Sequence, residues 1–336
     1  MTTTPEEALE QAALAGVHRL PIPTPFAVGK VNAYLIEDEP LTLVDCGPNS
    51  GRSLDVLGEQ LGAHDHTIED IDLVVITHNH ADHIGLTEIV VEHSGAEVAA
   101  LGAAAERLAD FEAENTRDDE FAVDLMLRSG IPEEIALALQ SLSSTYRGWG
   151  GPVQVTRPVA DGDKIALADR ELEVLFRPGH SPMDTVFWDA ERQIGFVGDH
   201  LLPHISSNPL ISRPLDGSPG RTHSLVAYLD SLAKTRELPE GALLFGGHGE
   251  PIDEHRPLID ARFASTERRK EKLLRLLGEG PRSGYELAQS MWGNIAVTQA
   301  FLTLSEVIGH MDLLEAEARV RELDDGGVIR FEAVAA

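Results

Sequence analysis

The sequence predicts an α/β fold whose strand ends carry the side chains of a metal site. Apolar runs of strand length alternate with segments of helical periodicity. One apolar run, residues 72–77, leads directly into residues 78–83, which hold three histidines and an aspartate. Three later apolar runs stop at glycine and then present His180, Asp199 or His248. Glycine permits a sharp turn and a close approach, and rigid strand ends hold donors in fixed directions, so a metal site is expected here.

The N-terminal elements are predicted to alternate around the histidine-rich loop. Short apolar runs indicate the strands, and apolar residues at helical spacing indicate the helices. We predict strands at 31–36, 41–45, 72–77 and 96–101, and helices at 53–61 and 85–93.

Residues 103–145 interrupt this alternation with helical periodicity and few strand signals. Pro132 followed by Glu133 and Glu134 is typical of a helix start. We therefore predict an insertion of two or three helices between strands of the core. It is expected either to cover the metal site as a lid or pocket wall, or to pack at the periphery. An apolar lining would favour a substrate with an acyl or aromatic part.

Strands return after the insertion, and the character of the chain changes again near residue 259. The predicted strands are 164–168, 172–176, 184–188 and 193–197, with a helix at 225–238 leading to the strand before His248. Ser283 is a predicted helix N-cap. Further helices are predicted at 262–277, 283–292 and 296–323, followed by a turn and a strand that ends at 331.

The His-x-His-x-Asp-His motif, in order with the later Gly-His, Gly-Asp and Gly-Gly-His segments, resembles the metallo-beta-lactamase-fold hydrolases over roughly residues 15–255. Residues 43–47 match the structural aspartate segment of that family. The resemblance implies a four-layer αβ/βα sandwich of two mixed sheets with helices on both outer faces. It also implies the ligands of two metals: His78, His80 and His180 for the first, Asp82, His83 and His248 for the second, and Asp199 bridging both.

Further roles are expected around this set. Asp82 and Asp199 are the predicted catalytic carboxylates, and Asp199 is expected to take the proton released when a tetrahedral intermediate collapses. Asp45 is interpreted as an orienter of a ligand, with a turn-capping aspartate as the alternative. The loop after Asp199 supplies candidates for substrate contacts, each of which is otherwise an ordinary loop residue: His200, His204, Asn208 and Arg213. His64 and His66 are also closely spaced, but they precede a strand in a polar loop and are not predicted to bind metal.

We predict two domains, a metallo-hydrolase domain at 1–255 with the 103–145 insertion, and a C-terminal domain at 256–336. Three helices and a terminal strand in the latter resemble the winged-helix tail of some lactamase-like hydrolases. The long helix carries many acidic residues, so we expect it to serve a homodimer or the substrate pocket rather than to read DNA.

Composition narrows the functional classes. A formal net charge of −29 disfavours generic binding to nucleic acid, because such a surface repels phosphate backbones. The single cysteine, Cys46, excludes an intrachain disulfide and fits a reducing compartment. The N-terminus lacks the pattern of a signal peptide, and the apolar runs are too short to span a membrane. We therefore expect a cytoplasmic protein that acts on a small molecule.

The expected cofactors are two divalent metal ions, with zinc favoured and manganese or iron as alternatives. Two such ions can lower the pKa of a shared water toward 7 and yield a hydroxide that attacks a carbonyl carbon or a phosphorus atom. We predict hydrolysis of a thioester, as the resemblance to the glyoxalase II and acyl-thioesterase branches implies. The alternatives are a lactone or ester hydrolase, a phosphodiesterase or ribonuclease, and a metal-binding regulator without turnover.

Two departures from related patterns bear on this choice. A thiolate ligand, typical of many zinc beta-lactamases, is replaced by Asp199, which disfavours antibiotic hydrolysis. Asn79 stands where redox-active di-iron relatives carry a glutamate. A mononuclear iron dioxygenase built from His180, Asp199 and one of the first two motif histidines remains an alternative, although such an enzyme would not require His248.

Overall fold

The first sheet contains the strands that lead to the histidine-rich loop. In the computed structural model, which describes residues 4–334, its six strands run in the order β1-β2-β3-β4-β5-β6. Strands β1 to β3 pair antiparallel, and β3 to β6 pair parallel. Their bounds are Val17–Ile22 (β1), Val31–Ile36 (β2), Thr42–Val44 (β3), Leu73–Val75 (β4), Glu97–Leu101 (β5) and Arg157–Val159 (β6).

The second sheet supplies the remaining strand ends of the site. Its five strands lie in the order β11-β10-β9-β8-β7, and only the β10–β11 pair among them is parallel. The bounds are Lys164–Ala166 (β7), Glu171–Phe176 (β8), Thr185–Asp189 (β9), Ile194–Gly198 (β10) and Leu243–Gly246 (β11).

Four helices surround the first sheet and the histidine-rich loop. They are α1 (Pro5–Leu14), α2 (Gly51–Gly62), α3 (Ala81–Ile84) and α4 (Thr87–Ser94). The predicted helix at 85–93 starts later than expected, because Gly85 and Leu86 separate α3 from α4. Helix α1 and the edge strand β1 were not predicted from the sequence, and neither was β6.

Alternating strand residues explain the layers. Leu73 and Val75 of β4 pack with Phe187 and Phe245 of the second sheet, whereas Val74 between them faces the core that contains Leu57 of α2. A strand buried on both faces needs apolar residues at every position, which is why β4 has no polar alternation.

The opposite face of the second sheet is covered in the same way. Leu232 of α8 (Ser224–Arg236) and Ile259 of α9 (His255–Leu277) pack with its Leu244. The order of helices, sheet, sheet and helices confirms the predicted four-layer sandwich.

The predicted helical insertion is present between β5 and β6. It contains α5 (Ala105–Ala109), α6 (Phe111–Arg128) and α7 (Glu133–Tyr146). Met126 and Ala136 of the insertion pack with Leu304 and Ile308 of α12 (Ala300–Ala316), so the insertion is held between the core and a C-terminal helix.

The C-terminal segment adds short helices and a small sheet to α9 and α12. They are α10 (Gly284–Trp292) and α11 (Ile295–Thr298), with β12 (Arg282–Ser283), β13 (Val320–Asp325) and β14 (Val328–Ala333) in the order β12-β14-β13. Ser283 caps α10 as predicted. The predicted continuous helical region 296–323 is wrong: α12 ends at Ala316, Ala318 adopts a left-handed conformation with φ 56°, and β13 follows.

The two-domain division and the winged-helix assignment of 256–336 stay predictions. Helix α9 begins beside the proposed boundary and joins both parts, because its Ile259 packs in the sandwich and its Leu273 in the C-terminal core. Within residues 4–334, no helix is both long and apolar enough to traverse a bilayer.

Candidate metal centre

Five histidines and two aspartates meet at one end of the sandwich. The loop after β4 and helix α3 provide four of them, and the loop between β8 and β9 provides His180. Asp199 directly follows β10, and His248 lies just beyond β11. One donor atom each from His78, His80, His180 and Asp199 lies within 4.8 Å of the others, and so do those of Asp82, His83 and His248. The structure therefore brings together all seven predicted ligands.

Three imidazole nitrogens converge in the first group. His80 Nδ1 lies 3.1 Å from His78 Nε2 and 2.9 Å from His180 Nε2. The other nitrogen of His78 meets the Thr77 hydroxyl at 3.0 Å, and His180 Nδ1 meets the Asn208 carbonyl oxygen at 3.1 Å. An imidazole that donates Nδ1–H to an oxygen leaves its Nε2 lone pair free, so these contacts direct lone pairs toward a common centre.

The imidazole rings of the second group are oriented in the same way. His83 Nδ1 lies 2.7 Å from Asp45 Oδ2, and His248 Nδ1 lies 2.8 Å from the Lys30 carbonyl oxygen. The Nε2 atoms of both rings consequently face inward, and His248 Nε2 is 3.3 Å from Asp82 Oδ2.

Asp199 lies between the two groups. Its Oδ1 is 3.5 Å from His83 Nε2, and its Oδ2 is 3.7 Å from His180 Nε2. The same Oδ2 is 3.5 Å from His248 Nε2. Asp199 Oδ1 and His83 Nε2 are both buried without a hydrogen-bond partner. Buried polar atoms that lack a partner and face one another suit cations between them, so the donor set fits divalent metals.

Electrostatics hold most of the donors in their ligand forms. Burial lowers the pKa of His80 to about 3 and that of His78 well below the usual value, so both imidazoles are neutral at physiological pH. Burial alone would raise the pKa of Asp199, but the imidazoles of His83, His248 and His180 together outweigh it and hold that pKa well below its usual range. Burial acts to lower the pKa of His83, yet the carboxylates of Asp45 and Asp199 raise it well above normal, which marks a position of strong negative potential.

Asp45, which follows β3, is hydrogen-bonded to two residues of the histidine-rich segment after β4. Its Oδ1 accepts the Thr77 backbone N–H at 2.9 Å, and its Oδ2 accepts the Thr77 hydroxyl at 2.7 Å as well as His83 Nδ1–H. Asp45 thereby orients His83 directly and His78 through Thr77. Its backbone has a left-handed φ of 57°, which aspartate tolerates better than most residues.

Glycine is required where the backbone passes the donors. A Cβ on Gly247 would lie 2.4 Å from both Asp199 Oδ1 and His83 Cε1. A Cβ on Gly198, which has a φ of 47°, would lie 2.6 Å from the Thr77 hydroxyl oxygen. These contacts explain why the strands before Asp199 and His248 end in glycine.

Sequence reasoning missed three supporting groups. Thr77 stands in the quoted motif but was not given a role, and the carbonyl groups of Lys30 and Asn208 orient His248 and His180. A backbone carbonyl leaves no signature in residue type, so only Thr77 could have been found from the sequence.

The four proposed substrate contacts take other positions. His200 is fully buried and its Nε2 meets Thr235 Oγ1 at 2.8 Å. Asn208 Nδ2 donates to the Leu302 carbonyl, and Arg213 pairs with Asp118 at 2.7 Å and with Glu114. His204 is exposed. None of them is among the described residues that line the cavity beside the donors.

That cavity has a volume of about 350 Å³ and opens onto His80 and His180. Helices α6 and α7 of the insertion form much of its wall, with Phe301 of α12 opposite. Arg107 and Arg147 also line the cavity, but both are paired with carboxylates, Arg107 with Glu114 at 3.5 Å and Arg147 with Asp119. The remaining wall is largely apolar and includes Phe111, Phe121, Ala122, Val123, Met126 and Leu139.

The chain is similar in sequence and in structure to proteins of one superfamily. The sequence profile of the metallo-beta-lactamase superfamily matches residues 27–248. The chain is 32% identical over 315 residues to the probable metallo-hydrolase YqjP of Bacillus subtilis (strain 168), covering 93% of this chain and 96% of that protein. Human acyl-coenzyme A thioesterase MBLAC2 is 31% identical over 134 residues, covering 38% and 40%. The crystal structure of the metallo-beta-lactamase family protein TTHA1429 from Thermus thermophilus superimposes with a TM-score of 0.81 at 26% identity, covering 96% of this chain and 100% of that chain.

Proposed function

The chain belongs to the metallo-beta-lactamase superfamily and is a hydrolase, and we propose that it hydrolyses a thioester with an apolar acyl group at a dinuclear metal centre. The observation that carries this proposal is the largely apolar cavity that opens directly onto His80 and His180. Its volume of about 350 Å³ falls within the roughly 300–1,000 Å³ typical of small-molecule pockets.

Seven side chains have assigned roles in the proposal. A pair of divalent cations, zinc or else manganese or iron, supplies a water of lowered pKa and a positive field for the reacting carbonyl. We assign His78, His80 and His180 to one cation and Asp82, His83 and His248 to the other, with Asp199 between them. We assign to Asp199 the proton released as the leaving group departs, which it would take up at a carboxylate oxygen.

The acyl group is assigned to the cavity. Phe111, Phe121 and Leu139 offer it apolar contact. Partial similarity to a protein named as an acyl-coenzyme A thioesterase supports a thioester over an oxygen ester. The net charge of −29 opposes a large polyanion such as RNA.

A chain-length series tests the assignment. Each methylene buried in the cavity is worth about 0.8 kcal/mol. The value of kcat/KM for acyl thioesters should therefore rise about threefold to fourfold per added methylene until the cavity is full. Oxygen esters, lactones and bis-nitrophenyl phosphate measured beside them should be slower. If a lactone or a phosphodiester is turned over faster than the acyl thioesters, the assignment of a thioester substrate is wrong.

Two matched variants on α6 separate the cavity from general effects. Ala122→Phe adds a phenyl ring to the cavity wall, whereas Leu127→Phe places the ring at an exposed position on the same helix. The first should shorten the preferred acyl chain, and the second should leave the preference unchanged. If both variants keep the same acyl chain-length preference, the acyl group does not bind in this cavity.

The metal assignment is tested by His80→Ala against His93→Ala, which alters an exposed histidine. Elemental analysis of the wild type should find about two equivalents of metal. His80→Ala should lose metal and activity while the circular dichroism spectrum remains native, and His93→Ala should keep both. Full activity in His80→Ala would show that the centre is misassigned.

A further inference from the structure

A second group of histidines lies at the end of the β1–β2 hairpin that is remote from the metal centre. His18 on edge strand β1 and Glu37, which directly follows β2, meet at 2.8 Å between Nε2 and Oε2. His66 Nε2 lies 3.5 Å from Glu37 Oε1, and the His64 ring lies 3.9 Å from the His18 ring between centroids. One donor atom each of His18, Glu37 and His64 lies within 4.8 Å of the others. Three imidazoles therefore surround one carboxylate.

This group is separate from the metal centre. His18 pairs with Leu35 in the β1–β2 ladder, while Ile22 pairs with Val31 at the opposite end. That opposite end adjoins Lys30, whose carbonyl contacts His248. The length of the hairpin thus lies between the two groups.

The backbone fixes both histidines of the His64–His66 turn. After α2 ends, the N–H groups of His64 and His66 donate to the Leu61 carbonyl at 2.9 and 3.1 Å. Asp65 between them has a left-handed φ of 62°, a conformation aspartate tolerates. The turn directs both imidazoles toward Glu37, whose own N–H donates to the Gly16 carbonyl at 2.8 Å. The donors are therefore held by backbone hydrogen bonds rather than by mobile side chains alone.

Partial burial makes the donors ordered yet accessible. The side chains of His18, His66 and Glu37 are 13%, 28% and 39% exposed. The His18 hydrogen bond lowers the pKa of Glu37, which is therefore an ionised carboxylate. Burial lowers the pKa of His64, so its imidazole keeps a lone pair at neutral pH. A simple surface ion pair needs one imidazole, whereas three imidazoles around one carboxylate provide the donor types that a late transition metal prefers.

We propose that His18, Glu37 and His64, with His66 beside Glu37 as a further donor, form a surface site for a divalent late first-row metal ion such as Zn²⁺, Cu²⁺ or Ni²⁺. The bound ion would link the edge hairpin to the turn after α2. Because a ligand that binds only the folded state stabilises it, occupancy of this site raises the temperature of unfolding without altering the hydrolase centre.

The experiment uses the metal-loaded enzyme and Zn²⁺ as the probe. Equilibrium dialysis against micromolar free Zn²⁺, followed by elemental analysis, should give one equivalent more for the wild type than for the double variant His64→Ala/His66→Ala. The control is His93→Ala, which removes an exposed histidine 3.6 Å from a different glutamate, Glu69. It should retain the additional equivalent. All three proteins should hydrolyse substrate at the same rate.

A second readout keeps the test decisive. Added Zn²⁺ should raise the unfolding temperature of the wild type and of His93→Ala, but not that of the double variant. His18→Gln, a change on the strand rather than the turn, should also lose the additional equivalent. Absence of an extra equivalent in the wild type, or its persistence in both the double variant and His18→Gln, would overturn the site.

Discussion

Asp45→Asn is the substitution that most directly tests how the metal centre is held. The carboxylate accepts three hydrogen bonds, one at Oδ1 from the Thr77 backbone and two at Oδ2 from the Thr77 hydroxyl and His83. An asparagine replaces one oxygen with an NH₂ group that cannot accept. The less disruptive orientation turns this NH₂ toward the Thr77 backbone N–H, because only one donor is lost there.

The magnitude follows from the two consequences. The Thr77 N–H is left buried without an acceptor, which costs about 1–3 kcal/mol of unfolding free energy. His83 also loses an anionic partner, and removal of such supporting groups typically weakens metal affinity about 10–100-fold. At about 1.4 kcal/mol per tenfold, the metal loses roughly 1.4–2.8 kcal/mol of binding free energy.

The assay is competition for Zn²⁺ with a chelator of known affinity, together with urea unfolding of the wild type and the variant. Asp189→Asn is the matched control, because Asp189 is equally buried and accepts from the Arg192 backbone N–H at 3.0 Å. It pairs with Ile194 at the start of β10, away from Asp199. Both variants should lose stability, but only Asp45→Asn should lose metal affinity. Metal affinity within about twofold of the wild type in Asp45→Asn, or an equal loss in both, would refute the orienting role.

Three further outcomes are expected. Gly247→Ala should reduce kcat/KM about 100-fold, because its Cβ would collide with two donor residues. Gly58→Ala is the control and should leave kcat/KM unchanged in the same assay, because a Cβ there meets nothing within 4 Å. Arg221→Ala removes the arginine that pairs with the buried Asp312 and should lower the unfolding free energy by about 3 kcal/mol, while Arg236→Ala, at an exposed pair, should leave it nearly unchanged in urea titration. Burial lowers the pKa of His310 below its usual 6.5, so the unfolded chain takes up the proton first and stability falls as pH drops through 6.5. His310→Gln should therefore lose less stability than the wild type between pH 7.5 and about 5.5, which urea unfolding at the two pH values would measure.

The donors could be predicted from the sequence because each donor segment follows an apolar strand, with a glycine or a threonine directly before its first donor. Strand β4 shows the basis of this success: its three residues are buried on both faces, and such a run carries a clear signal. Of the groups that orient the rings, Asp45 was predicted and Thr77 could have been found, but the others have no signature in the sequence. The carbonyls of Lys30 and Asn208 act through the backbone, and any residue could supply them.

Edge and C-terminal elements escaped prediction for a different reason. Strand β1 contains His18, Arg19 and Pro21, which weaken its strand pattern, but an edge strand tolerates proline because one side needs no ladder hydrogen bond. The error at 296–323 came from extending a helical pattern through Ala318, whose left-handed backbone has no glycine to announce it. In both places tertiary pairing, rather than local propensity, decides the structure.

The proposed metal ligands and the proposed acyl cavity belong to different parts of the fold. The donors stand on loops anchored in the two sheets, where their directions are set by Asp45 and by backbone carbonyls. Much of the cavity wall is built from α6 and α7, which lie between β5 and β6 in the chain and pack against α12. Changes on the cavity side of these helices would alter the proposed acyl site without displacing a donor, because the insertion supplies none of the seven donor residues. Under the proposed function, altering the insertion alone would therefore change the size of the acyl group that the same donors serve.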